Sequence, residues 1–137
     1  MRLLVTTDET VLVQRLPADL TAPIVARRSL RDAVAGRVAA AELDDAMLVL
    51  SELVANSVLH GGLGPGEPIE VRVKLGPASI CVKVIDEGGG FAAAAAREAA
   101  EPSPFGGRGL GIVDRLATDW GHERDEARTV VWAELPR

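Results

Sequence analysis

Hydrophobic and polar positions alternate cleanly along residues 69–75, IEVRVKL. Ile69, Val71, Val73 and Leu75 fall on one side and Glu70, Arg72 and Lys74 on the other, which predicts a strand with one wet face. A Gly76-Pro77 turn leads into residues 79–86, SICVKVID, a second strand. Shorter alternations at residues 3–7 and 11–16 predict a strand pair at the start, and TDWGHER with TVVWAEL predicts a closing hairpin. Between these runs the period lengthens. Thr21 followed by Ala22-Pro23 reads as a helix start, a hydroxyl cap and then an early proline. Ala26, Leu30, Ala33 and Val34 give that helix its apolar face. A second helix is expected from about Asp44 to the Gly61-Gly62 pair. Leu110, Val113, Leu116 and Ala117 mark a third, short one.

The resulting order is strands, two helices, strands, one helix, strands. It predicts an α/β (α+β) two-layer sandwich: a mixed, mostly antiparallel sheet with its helices on one face. The 137 residues suit a single domain, 1–137. Hydrophobic residues at 47% are too many for a disordered chain. A net charge of −5 with no basic run argues against nucleic acid as partner. One cysteine, Cys81, allows no internal disulfide. The first residues turn polar too soon for a signal peptide, and no run is apolar over the ~18 residues of a membrane span. The expectation is therefore a cytoplasmic protein with no membrane partner.

Against this ordinary background, SELVANSVLHGG stands out at residues 51–62. Glu52, Asn56 and His60 are spaced four apart, so on a helix they share one face, while Leu50, Leu53, Val54 and Val58 occupy others. The stripe admits two readings. One is a solvated helix face, with His60 as a cation near the helix C-terminus. The other is a ligand face. An amide oxygen suits Mg²⁺ that bridges phosphates, and a carboxylate one turn away is placed to take a proton from an attacking hydroxyl or water.

Glycine placement bears on that choice. Gly88, Gly89, Gly90, Gly106, Gly107, Gly109 and Gly111 are half of the 14 glycines. One cluster follows Asp86 at a strand end; the other opens a helix. Each glycine costs roughly 0.5–1 kcal/mol in a regular element relative to alanine. A glycine-rich entry to a helix, by contrast, bares backbone N–H groups that suit phosphate. Either cluster alone reads as a turn; with the polar stripe they support each other. There is no G-x-x-x-x-G-K-[ST], no G-x-G-x-x-G and no G-x-S-x-G. Cys81, His60 and His122 are too few for a zinc site.

ELVANSVLHG, DEGGG and GGRGLGIV resemble, in order and spacing, the N, G1 and G2 boxes of the GHKL ATP-binding superfamily, the Bergerat fold. The subgroup most similar is the anti-sigma factor serine/threonine kinases, and the resemblance runs from about residue 16 to residue 135. It implies ATP and Mg²⁺ as cofactors. It gives Asn56 to the metal and Glu52 to the catalytic base. Asp86 goes to the adenine amino group, with Gly88 and Gly90 beside the base. Gly107, Gly109 and Gly111 fall around the phosphates, with Leu110 and Arg108 inside that loop, and Thr129 lies on a late strand near the base. His60 sits where this subgroup often has histidine. Residues about 91–106 correspond to the ATP lid, which here carries seven alanines in residues 92–100 with little to bury; mobility without nucleotide is the expectation. The resemblance implies a sigma factor or an anti-sigma antagonist protein as partner, and a homodimer.

Three other functions can be weighed. A non-catalytic ATP-dependent binding module would need Asp86 and the glycines but not Glu52. A histidine kinase would need a phospho-accepting histidine ahead of the N box, and His60 and His122 are the only two histidines. A gyrase-like ATPase would fit Glu52 and Asn56 equally well, but carries a transducer domain for which this chain is too short.

Overall fold

A computed structural model describes residues 8–60, 67–87, 110–124 and 127–137, with the side chain of His60 outside that set. The elements are β1 (Glu9–Pro17), α1 (Ala22–Val34), α2 (Ala40–His60), β2 (Pro68–Leu75), β3 (Ser79–Asp86), α3 (Leu110–Leu116), β4 (Asp119–Arg124) and β5 (Thr129–Pro136). The order is the one the hydrophobic pattern predicts. The five strands form one sheet, ordered β1-β2-β3-β5-β4. Every pairing among them is antiparallel, so the sheet expected to be mixed has no parallel pair among the described strands. Residues 11–16 lie in β1, whose described partner is β2; residues 3–7, expected to pair with them, lie outside the described residues. So does the alanine-rich segment 92–100.

Alternation decides which face is covered. Ile69, Val71, Val73 and Leu75 of β2, Ile80, Val82 and Val84 of β3, and Val131, Ala133 and Leu135 of β5 are all buried. Of their intervening neighbours, Arg72, Lys74 and Glu134 are exposed and the others half-buried. The helices lie on the buried side. α1 contributes Ala22, Ala26, Leu30 and Val34, and α2 contributes Ala46, Val49, Leu50, Leu53 and Val54. Burying each of the larger side chains contributes about 1.5–3 kcal/mol. Among the described helices none is long and apolar enough to cross a membrane.

Both helix starts differ from the sequence expectation. Thr21 precedes α1, but its side chain makes no capping hydrogen bond. Its hydroxyl and its backbone N–H both donate to Asp19 Oδ1, at 2.6 and 2.9 Å. Asp19 therefore organises the entry from two residues ahead, a turn that short acidic side chains favour, and the Thr21 hydroxyl holds its carboxyl below the usual range. α2 begins at Ala40, one turn before Asp44. Glu42 Oε1 accepts the Ala39 N–H at 3.0 Å, which is half of a capping box. No Ser, Thr, Asp or Asn marks that start, so the rule for helix beginnings overlooked it. Gly36, with φ of +75°, reverses the chain between the two helices, a conformation that costs little only for glycine.

Candidate functional site

The strand register fixes one end of the molecule. Pro17 pairs with Pro68, and Glu70 pairs with Ile85, so the end of β1, the start of β2 and the end of β3 coincide. α1 starts at that end and runs away from it, since Arg37, just past the helix, meets Glu9 at the start of β1. α2 packs against α1 and across β3 and β5 on the way back. Its last turns, carrying Glu52, Asn56 and His60, therefore return to the end where β3 finishes at Asp86.

At that end the covered face of the sheet changes character. Asp86 and Thr129 are direct partners across β3 and β5 and continue the inward rows of Val84 and Val131. Both are buried, Asp86 to 1% exposure. A carboxylate beside a hydroxyl at this depth is costly unless each is given polar company. Arg124 of β4 supplies part of it by donating a long hydrogen bond, 3.4 Å, to Thr129 Oγ1.

α2 brings its own polar atoms to the same layer. Asn56 is only 4% exposed, and its Nδ2 has no hydrogen-bond partner among the described residues. Glu52, one turn earlier, is half-buried and makes no ion pair or hydrogen bond among the described residues. Buried amides are normally paired, so at this depth Asn56 does not belong to a solvated stripe. The buried member of the pair is Asn56, whose free Nδ2 is a donor, and the more accessible one is Glu52.

The sequence reading overlooked Ser57. It is fully buried, and its Oγ has no partner among the described residues. The signal was present, since Ser57 directly follows Asn56, but a serine within an apolar helix reads as a neutral core residue. The remaining buried polar residue, Ser51, is satisfied by donating to Leu48 O at 2.9 Å. Leu110 and Gly111 open α3, with Leu110 in the core. Gly88, Gly90, Gly107, Arg108 and Gly109 lie outside the described residues.

Asp86 also lines a depression, together with residues that include Arg15, Glu70, Arg72, Ile85, Glu87 and Arg128. Arg15, Glu70, Arg72 and Ile85 sit at uncovered positions of the sheet, so this hollow opens on the side away from α2. Asp86 belongs to its lining; Asn56 and Thr129 do not.

The described residues fit a nucleotide. The Asp86–Thr129 pair offers an acceptor and a hydroxyl where the sheet is otherwise aliphatic, and Asn56 offers an unclaimed amide. Comparison with known families agrees: the model of the histidine kinase-like ATPase domain matches residues 16–135. No curated protein matches the chain. The match spans both helices of the covering layer, the whole of β2, β3 and α3, and the Thr129 strand, and it implies an ATP site. The chain belongs to the histidine kinase-like ATPase domain family.

Proposed function

We propose that this chain is an ATP-binding regulatory protein: an anti-sigma factor that phosphorylates a serine or threonine on an anti-sigma antagonist. The observation that supports it best is the Glu52/Asn56 pair, a half-buried carboxylate with no partner among the described residues one turn from a buried amide. A module that only bound ATP would need Asp86 and the glycines but not that carboxylate.

In this reading Asp86 accepts a hydrogen bond from the adenine amino group, and Thr129 lies beside it. Gly88 and Gly90 leave room next to the base, and Gly107, Gly109 and Gly111 present backbone N–H groups to the phosphates, with Leu110 and Arg108 between them. Asn56 holds Mg²⁺, which neutralises phosphate charge when bound. The Glu52 carboxylate takes the proton of the attacking hydroxyl. Such transfer depends mainly on positioning and charge neutralisation. The protein would work in the cytoplasm, as a homodimer, on a sigma factor and its antagonist.

The test is transfer of labelled γ-phosphate from ATP to an antagonist protein. Transfer by the wild type, with loss in Glu52→Ala and retained ATP binding, is the expected result. Undiminished transfer by Glu52→Ala refutes the base assignment. Nucleotide-dependent partner binding with no transfer by either protein favours a non-catalytic binding module.

A further inference from the structure

α1 has two faces. Ala22, Ala26, Leu30 and Val34 are buried against the core. On the other side Ile24, Arg27, Arg28 and Arg31 recur at i, i+3, i+4 and i+7, which places them on one stripe. All four are exposed, Ile24 by 51%. Met47 of α2 lies beside them, and the five residues line a shallow depression whose walls contain no acidic side chain. Leu20, 77% exposed, stands just ahead of the helix.

The charge of this stripe runs against that of the molecule. The chain has 15 basic and 20 acidic residues. Yet Arg27 and Arg28 form no ion pair among the described residues, and Arg31 has only a long contact, 3.7 Å, with its exposed neighbour Asp32. Like charges at i and i+4, as in Arg27 and Arg31, repel. Folding gains nothing from three arginines gathered within two turns around exposed apolar side chains; a partner would.

We infer that this α1 face, with Met47 beside it, docks an acidic amphipathic segment of another protein. Carboxylates of the segment would pair with Arg27, Arg28 and Arg31, and an apolar side chain would rest on Ile24 and Met47, the groove mode of peptide recognition. Nucleic acid fits less well: phosphates would meet the arginines, but the apolar floor would be unused and the net charge of −5 would repel a polyanion. None of these residues belongs to the nucleotide constellation, so the inference stands apart from the kinase reading.

The probe is a synthetic helical peptide with leucines at i, i+3, i+4 and i+7 and glutamates elsewhere, titrated into the ¹⁵N-labelled full chain. A peptide with lysines for the glutamates and a short DNA duplex serve as controls. Expected are saturable shifts centred on Ile24, Arg27, Arg28, Arg31 and Met47. Binding should weaken at least about tenfold in Arg27→Glu/Arg28→Glu and survive in Arg27→Lys/Arg28→Lys. Ile24→Ser should weaken it severalfold. Circular dichroism and unchanged ATP affinity would show these variants folded. No saturable binding of the acidic peptide, equal binding of the lysine peptide, indifference to charge reversal, or shifts centred elsewhere would each overturn the inference. Tighter binding of DNA than of the acidic peptide would overturn it in favour of nucleic acid. Peptide binding by a chain that fails to bind ATP would refute the nucleotide reading and leave this one intact.

Discussion

Replacing Asn56 by leucine should make the protein more stable and end its function. Leucine keeps the branched heavy-atom skeleton of asparagine but removes both polar atoms. Asn56 is 4% exposed, and its Nδ2 is buried without a partner among the described residues. A buried donor left unmade costs about 1–3 kcal/mol. The apolar replacement adds burial among Leu53, Val54 and the inward strand residues, offset by up to about 1–3 kcal/mol if the bulkier methyl groups crowd the layer. The net expectation is a gain of about 1 kcal/mol, read as a rise in Tm of roughly 3–5 °C for a chain of this size. Thermal and urea unfolding without nucleotide give the first readout. Calorimetric titration of ATP with Mg²⁺ gives the second, where binding should fall at least about tenfold. Opposite signs in the two readouts are what a residue kept for a ligand produces. A fall in Tm of several degrees together with unchanged nucleotide binding would refute the argument, because it would mean that the amide is satisfied within the fold and serves only packing.

Three further outcomes follow from the same structure. Gly36→Ala should destabilise by about 1 kcal/mol in urea unfolding, because φ of +75° strains any residue with a Cβ, although the space around it is open; no loss would mean that the turn relaxes. Cys81 should react slowly with iodoacetamide near pH 8, and faster once the chain is unfolded, because burial pushes its thiol pKa up and keeps it protonated. Asp19→Ala should lower stability at neutral pH. The Asp19 carboxyl lies below its ordinary value in the fold, so its contribution is present above the unfolded pKa and is lost as pH falls through the folded one. The gap between wild type and variant should therefore close under acid, and a gap constant down to pH 3 would exclude the carboxylate.

The legible parts of the fold were those where burial follows a simple period. β2 and β3 carry strict alternation and β5 nearly so, and the buried rows fell where alternation put them. What escaped was decided by single side chains acting locally. Asp19 reaches forward to do the work assigned to Thr21, and Glu42 reaches back to start α2 at an alanine that no rule marks. The partner of residues 11–16 escaped because alternation identifies a strand but not its neighbour. At the candidate site, Glu52 and Asn56 stood out as a polar stripe on an apolar helix and Asp86 by the glycine cluster that follows it, whereas Thr129 came only through the family resemblance. Ser57 was not identified, because a serine in a helix is commonplace until its depth and lack of a partner are seen. The glycine positions Gly88, Gly90, Gly107 and Gly109, with Arg108, rest on the sequence pattern alone.

The pairing of Asp86 with Thr129 bears on how the family can vary. The chain departs from the last residue of one strand and rejoins at the first residue of the strand beside it, so the two ends of everything from Glu87 to Arg128 are pinned next to each other by the sheet. Lengthening a loop between fixed ends is inexpensive, about 0.6 kcal/mol for each doubling. Insertions and deletions there, outside β4, leave the register of β1, β2, β3 and β5 untouched. Apart from α3 and β4, this excursion can change in length while Asp86 and Thr129 keep their places at its root.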